Sequence, residues 1–323
     1  MTPRADRSRR GASDEGAILV VVVGVLLLLA IIASTLMIAS RNQLRARAAL
    51  GAHAEATAVA DGVVRLVALR MAERRAANAQ GPWMALDGTP AFCRDGGFGV
   101  EVRITDTAGL VDLNASSLDT FELLLTGIGV PSQEAGRLAA AIVDYRDPDD
   151  VPGVGGAESR EYRQAGRAVG PKNAPFDSVD ELDQVLGLTP DLVARLRPLV
   201  TVYSRATSID PAVAPLALLQ AVSRATSGGG GADVASVPRE QIRLPPQFVR
   251  RTVTRGSRNR LPVFIVRVVA GAPNGVRFLR EATIELASAS PTGFVVRNWT
   301  SYPAGSVVLP AAANIPLACE ALQ

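Results

Sequence analysis

An uncharged stretch near the N-terminus constrains this chain more than any other feature. Residues 17–40 contain no Asp, Glu, Lys or Arg and consist mostly of Val, Leu, Ile and Ala. As an α-helix these residues would be about 36 Å long, enough to cross a hydrocarbon layer of about 30 Å. A core helix of this length in a soluble protein would show a polar stripe, and this stretch has none. The sequence therefore predicts a transmembrane helix at 17–40.

The segment before this helix predicts its orientation. Residues 1–16 carry Arg4, Arg7, Arg9 and Arg10, and positive charge flanking a membrane helix stays on the cytoplasmic side. The rest of the chain would then lie on the far side of the membrane. A cleaved signal peptide has an apolar core of only about 7–15 residues followed by a small-residue cleavage site, which this sequence does not match. A plain signal-anchored periplasmic domain is a further alternative.

The predicted helix continues beyond the membrane. No proline occurs between Arg41 and Pro82. Apolar residues recur at helical spacing in this segment, and arginines lie on the opposite face. This pattern predicts an amphipathic helix over 41–80, one face of which packs on a soluble domain. The predicted face consists of Val59, Val63, Leu66, Val67 and Met71.

This N-terminal pattern resembles that of type IV prepilins and pseudopilins. The resemblance implies that a prepilin peptidase cuts between Gly16 and Ala17 and that the new N-terminus is methylated. Most members of the family carry Glu at the fifth mature position, where this chain has Val21. Protein K of type II secretion systems is the pseudopilin that characteristically lacks this Glu. The departure therefore favours the protein K family.

A helical module follows a predicted strand at 98–104. The pattern of residues 111–200 predicts four short helices, with a capping box formed by Ser178 and Glu181. The Gly-Ile-Gly turn within residues 125–129 resembles the helix-hairpin-helix motif of DNA-binding proteins. The module also resembles the inserted domain of protein K, through Asn114-Ala115-Ser116, Asp144, Asp147, Asp149, Asp150, Gly156-Ala157-Glu158, Tyr162, Asn173 and Glu181-Leu182.

The charge of the module distinguishes these two resemblances. Residues 101–200 hold 17 acidic and 9 basic residues, a net charge of −8. DNA binding depends on neutralising phosphates with basic side chains. We therefore expect no nucleic-acid partner, and a membrane-anchored helix-hairpin-helix protein of a DNA-uptake or type IV pilus apparatus is the alternative function.

Five carboxylates fall within 15 positions of the module. They are Asp144, Asp147, Asp149, Asp150 and Glu158, on a segment that also contains Gly and Pro. Calcium prefers six to eight oxygen ligands on such loops, whereas one His and two Cys in the chain argue against zinc. A solvated acidic loop is the alternative. The resemblance to protein K implies calcium, with Asp147, Asp149, Asp150 and Glu158 as candidate ligands. No nucleophile or general base is evident, and no enzymatic activity is expected.

The C-terminal part of the chain reads as a sheet. Residues 261–270, 276–286 and 294–302 alternate as strands, and residues 273–275 form a hairpin turn. Residues 205–323 hold 13 arginines and 6 acids, a net charge of +7. Cys93 and Cys319 are either paired in one disulfide, as an oxidising compartment permits, or two free buried thiols.

These observations predict an α+β protein. A long N-terminal helix would pack on an antiparallel sheet, the pseudopilin fold, with an all-helical domain inserted. The predicted divisions are a leader at 1–16, the membrane helix at 17–40, an amphipathic helix at 41–80, sheet at 81–110, the insert at 111–225, a Gly-rich linker at 226–258 and sheet at 259–323.

The resemblance also implies a function. A protein K pseudopilin sits in the bacterial inner membrane with a cytoplasmic N-terminus and a periplasmic domain. It would cap the periplasmic pseudopilus and support export of folded proteins. Its expected partners are the minor pseudopilins of the I, J and H types, the prepilin peptidase and the inner-membrane platform.

Overall fold

The computed structural model describes residues 11–79, 83–95, 97–227, 238–246, 248–249 and 261–302. The chain divides into two compact units, the first ending at Glu55 and the second beginning at Ala56. Helix α1 comprises Gly11–Ala76. Within the described ranges it is the one helix long and apolar enough to span a membrane, with an 18-residue window of mean hydropathy 3.1. Its large apolar side chains from Ile18 to Leu50 are 46–72 % exposed.

The second unit contains a five-stranded antiparallel sheet in the order β1-β2-β5-β6-β7. Its strands are β1 (Ala91–Asp95), β2 (Phe98–Asp106), β5 (Val263–Gly271), β6 (Arg277–Leu286) and β7 (Phe294–Tyr302). Four of them were predicted from alternation, and β1 was not. The hairpin between β5 and β6 is the predicted one, with Gly275 at φ 85° and the Val276 carbonyl accepting from the Ala272 N–H. The predicted α+β class is confirmed.

One face of α1 within the second unit packs on this sheet, but it is centred differently from the predicted stripe. The buried row consists of Ala56, Ala60, Val64, Val67, Ala68 and Met71. The predicted Val59, Val63 and Leu66 lie at its margin and are half-buried. Alanine at the centre lets the helix axis approach the sheet closely, while the larger side chains fill the space on either side. Asp61 of α1 also accepts from Arg280 of β6, with an Oδ1–Nε distance of 2.6 Å.

The inserted domain lies between β2 and β5 in the chain. Two short parallel strands, β3 (Val111–Asp112) and β4 (Val200–Thr201), pair within it. Its helices are α2 (Leu118–Gly127), α3 (Ser132–Arg146), α4 (Ser159–Gln164), α5 (Pro190–Leu196) and α6 (Leu216–Thr226). Ser178 and Glu181 form the predicted capping box, although the turn that follows, Val179–Gln184, is a 3-10 helix.

The interval predicted as a Gly-rich linker, 226–258, contains an ordered segment. Phe248 is fully buried in the core of the insert, and Val249 bridges to Ile209 in parallel. Residues 238–246 and 248–249 therefore pack with the helical domain. The other residues of the interval from 228 onward lie outside the described residues.

Candidate functional site

The acidic loop of the insert joins α3 to α4, and Asp144 organises it from the last turn of α3. Its Oδ2 accepts from the backbone N–H of Ala157 at 2.8 Å and from that of Gly153 at 3.1 Å. A Cβ at position 156 would overlap the same oxygen, so that only Gly156 allows this close approach. The Asp144 carboxylate therefore holds the backbone of the loop against the end of α3.

Three other carboxylates converge inside the loop. Asp147, Asp149 and Glu158 each place one oxygen so that all three lie within 4.8 Å of one another. Glu158 is 2 % exposed. Within the described part of the chain, Oδ1 of Asp147 and both side-chain oxygens of Glu158 are buried without a hydrogen-bond donor. Buried carboxylate oxygens without donors are costly, and a bound cation would compensate them.

Asp150 and Asn173 lie beside this cluster and are hydrogen-bonded to each other. Asn173 Nδ2 donates to Oδ1 of Asp150 at 2.9 Å and to the backbone carbonyl of Asp149 at 3.1 Å. The Asn173 side-chain oxygen is buried and has no donor among the described residues. Asp150 was predicted as a ligand, whereas the structure places it outside the three-oxygen group. Asn173 belongs to the site through a contact that spacing alone does not reveal.

The electrostatics of the loop are those of crowded like charges. Burial, followed by the charges of Asp144 and Asp147, raises the pKa of Glu158 to about 7. Burial and Asp149 raise the pKa of Asp147, and the neighbouring Arg146 opposes this only in part. Carboxylates held together with raised pKa values favour a cation among them. The side-chain atoms of this cluster that could bind a cation are all oxygens, and oxygen ligands suit a hard divalent cation.

The glycine-containing turn between α2 and α3 has a structural explanation. A Cβ at Gly127 would collide with the backbone of Ala221 in α6, and Gly129 adopts φ 96°. The carbonyl of Ile128 accepts from Arg195 at 2.7 Å. Gly127 thus permits close contact between α2 and α6. This packing role explains the glycine of the helix-hairpin-helix-like turn, so that no contact with a nucleic acid is needed to account for it.

The remaining predicted residues lie elsewhere. Gly16 and Ala17 fall within α1, whose described side chains begin at Ile18. Cys93 is buried in β1, between the sheet and α1. Cys319 lies outside the described residues, so that its pairing with Cys93 remains a prediction.

Comparison with known proteins identifies the inserted region. Residues 104–205 match the family model of type II secretion system protein K. The type II secretion system protein K of Pectobacterium carotovorum subsp. carotovorum is 34 % identical over 80 residues, 25 % of this chain. The matched segment spans 24 % of that relative.

A chain in the crystal structure of the GspK-GspI-GspJ complex from the enterotoxigenic Escherichia coli type 2 secretion system superposes with a TM-score of 0.48 and 18 % identity. That match covers 82 % of this chain and 99 % of the other. The family match falls on the sequence motifs quoted above and on the helices that carry the acidic loop. The predicted resemblance is confirmed for the insert: residues 104–205 are similar to protein K of type II secretion systems.

Proposed function

We propose that this protein is a minor pseudopilin that caps the tip of a periplasmic type II secretion pseudopilus and supports export of folded proteins. The observation that carries the proposal is the position of the protein K domain. Residues 104–205 lie between strands of a sheet that packs on a long N-terminal helix. The domain is thus built into a pilin-like subunit, and the role is structural rather than enzymatic.

The N-terminal helix supports storage in the inner membrane before assembly. Four arginines precede an uncharged segment, an order that keeps the N-terminus cytoplasmic and the second unit periplasmic. Cleavage after Gly16 would leave an apolar helix whose fifth residue is Val21. A subunit without a carboxylate there cannot neutralise the N-terminal amine of a neighbour, which suits a terminal position in the fibre.

The expected partners follow from the resemblance to protein K. We propose that minor pseudopilins of the I, J and H types join this chain at the tip, as the match of residues 104–205 to protein K implies. The exposed apolar side chains of α1 provide a surface for neighbouring helices. The prepilin peptidase and the inner-membrane platform act before and during assembly.

Replacement of the glycine at the cleavage site tests this proposal. Gly16→Ala should leave the leader attached and abolish secretion, whereas Gly11→Ala, in the same leader, should be processed normally. The mass of the N-terminal segment measures whether the leader has been removed, and the amount of exported protein in the medium measures secretion. Normal secretion by the Gly16→Ala variant would refute the assignment. A salt-dependent DNA gel shift by the full chain would instead favour the DNA-uptake alternative.

We further propose that the acidic loop binds calcium. The support is the set of buried oxygens without donors on Asp147, Glu158 and Asn173, together with the short separation of the Asp147, Asp149 and Glu158 carboxylates. Asp147, Asp149 and Glu158 would be ligands, the Asn173 side-chain oxygen is positioned to join them, and Asp150 would act by holding Asn173. Calcium supplies charge neutralisation here and fixes the loop on α3.

Thermal unfolding of the detergent-solubilised full chain tests the calcium site. Calcium at about 100 times its dissociation constant should stabilise the fold by about 2.7 kcal/mol, which corresponds to a Tm increase of several degrees. Glu158→Gln should abolish the increase, and Glu134→Gln, at the exposed first turn of α3, should retain it. An equal Tm in calcium and in chelator would exclude the site without affecting the pseudopilin assignment.

A further inference from the structure

A cleft separates the sheet from the inserted domain, on the side of the sheet that faces away from α1. Its volume is about 530 Å³, which is in the range of small-ligand sites in proteins. Strands β2, β5 and β6 contribute to one wall. The other wall contains the end of α5, the turn that follows it and the start of α6. No residue of the acidic loop lines this cleft, so that it is a separate candidate site.

Alternation along the strands places charged side chains on the sheet wall of the cleft. Successive side chains of a strand point to opposite faces, and the apolar ones of β2, β5 and β6 pack toward α1. On the other face Arg103 of β2 lies directly opposite Arg267 of β5, and Arg267 lies opposite Glu281 of β6. Like charges in opposite positions destabilise a sheet. The two adjacent arginines therefore favour an anion in the cleft.

Most hydrogen-bond donors of two arginines in the cleft are unused. Arg103 belongs to the sheet wall, and Arg197 belongs to the turn after α5 on the other wall. Each guanidinium has five N–H donors. Arg103 donates from Nε to Glu101 at 2.5 Å, and Arg197 donates from one nitrogen to Asp180. Within the described residues these are their only hydrogen bonds, so that the other donors remain for a ligand.

Arg267 is the least satisfied arginine of the cleft. Its Nε is 3.3 Å from Oε2 of Glu281, yet this nitrogen is buried without a hydrogen-bond acceptor among the described residues. A buried donor without an acceptor costs free energy. An oxygen atom of a ligand in the cleft would supply the missing acceptor.

The two walls direct their charges toward one place. Burial raises the pKa of Glu281, and the charges of Arg267 and Arg197 oppose this rise. Arg267 lies on the sheet and Arg197 on the insert, so that arginines from both walls are within electrostatic reach of the same carboxylate. A second carboxylate placed beside it would lie within reach of both arginines and would join the insert to the sheet.

We propose that this cleft binds a carboxylate carried on an apolar body, either the C-terminus of a polypeptide or a small carboxylic acid. Guanidinium groups form strong paired hydrogen bonds with carboxylates. Asp87 and Glu281 also line the cleft and would repel a doubly charged anion such as phosphate more than a monocarboxylate. The apolar body would lie against the aliphatic side chains of the cleft, which include Leu110, Leu199, Leu216 and Ile265.

Isothermal titration calorimetry of the detergent-solubilised full chain tests this proposal. The probes are an alanine-leucine hexapeptide with a free C-terminus, the same peptide with an amidated C-terminus, hexanoate and inorganic phosphate. The free peptide or hexanoate should bind, and amidation should weaken peptide binding at least about tenfold, because the amide carries no charge. A free peptide that binds at least about tenfold more tightly than hexanoate assigns the site to a polypeptide terminus, and the reverse order assigns it to a small acid.

Three outcomes of this titration would overturn the proposal. The first is the absence of binding by both the free peptide and hexanoate. The second is equal affinity for the free and amidated peptides, which would show that the carboxylate is not recognised. The third is tighter binding of phosphate than of either acid.

Substitutions on the two walls locate the binding site. Arg267→Gln and Arg197→Gln should each weaken binding at least about tenfold, because each removes one positive charge from the cleft. Arg224→Gln, at the exposed end of α6 and outside the cleft, should bind like the parent. Urea denaturation shows which variants are folded, and Arg197 pairs with the exposed Asp180, so that its variant serves if Arg267→Gln does not fold. Unchanged affinity in either folded variant would overturn the proposal.

Discussion

The side chains of Asp112 and Ser204 meet in the interior, with Oδ2 of the carboxylate 3.0 Å from the serine Oγ, although the two residues are 92 positions apart. The same Oδ2 accepts from the backbone N–H of Arg205 at 2.6 Å. The other carboxylate oxygen accepts from the backbone N–H groups of Asn114 and Ala115. The buried Asp112 carboxylate thus connects the residues that follow β3 to the residues that follow β4. These hydrogen bonds hold the two strands next to each other.

Replacing this carboxylate should loosen the insert. Asp112→Asn preserves the shape of the side chain but turns one acceptor into a donor that faces other donors. We expect a loss of about 2–3 kcal/mol in the free energy of unfolding, measured by urea denaturation. Asp119→Asn, at an exposed position in the first turn of α2, should lose less than about 1 kcal/mol. Similar losses in both variants would show that Asp112 does not hold the two strands together.

The close approach of α1 to the sheet gives a second prediction. Ala60 is fully buried in this contact, and a larger side chain there would push the helix outward. Ala60→Leu should destabilise the second unit by about 1–3 kcal/mol through overpacking. Ala58→Leu, on the exposed side of the same helix, should have little effect. Equal Tm values for the two variants would indicate that the predicted stripe, rather than the alanine row, forms the contact.

Elements with a regular local pattern could be predicted from the sequence. The long helix, four strands and the β5–β6 turn follow from periodicity and from the turn residues. The alanine row of α1 was missed because alanine adds little to an apolar pattern, although its small size determines the contact. The short strand β1 has no clear alternation, and Phe248 packs through contacts distant in sequence, which local patterns do not encode.

The acidic site was predicted as a group but not in its division of roles. Asp144 differs from Glu158 because Asp144 accepts from the N–H groups of Gly153 and Ala157, whereas the buried Glu158 oxygens have no donor in hydrogen-bonding geometry among the described residues. That distinction depends on how the loop folds back on α3. Asn173 enters the site from 23 positions beyond Asp150, a distance at which spacing rules give no guidance.

The two alternatives for Cys93 and Cys319, one disulfide or two free thiols, have a direct test. If Cys93 and Cys319 are paired, the unreduced full chain should resist thiol alkylation under denaturing conditions and gain two labels after reduction, as measured by intact mass. Cys93→Ser should lower the free energy of unfolding by about 2–4 kcal/mol, since the bond closes a long loop. Two alkylated thiols in the unreduced chain from an oxidising compartment would refute the pairing.

The raised pKa of Glu158 predicts an unusual pH dependence in the absence of calcium. The pKa of an unperturbed glutamate is 4.5, and that of Glu158 in the folded chain is about 7. Between these values the folded chain binds more protons than the unfolded chain, so that the free energy of unfolding falls as the pH rises. The loss from this residue is about 3 kcal/mol over the whole interval, at about 1.4 kcal/mol per pKa unit. Asp144 and Asp147, whose pKa values are also raised, act in the same direction.

Urea denaturation between pH 5 and pH 8, with chelator and with calcium, measures this dependence. Glu158→Gln should flatten the profile in chelator and make the chain more stable than the parent at pH 8, because the amide cannot ionise. Calcium binds the ionised carboxylate and should reverse the slope in the parent alone. Glu134→Gln should follow the parent under both conditions. A parent whose stability in chelator rises from pH 5 to pH 8 would show that the Glu158 carboxylate is compensated within the fold and has no need of a cation.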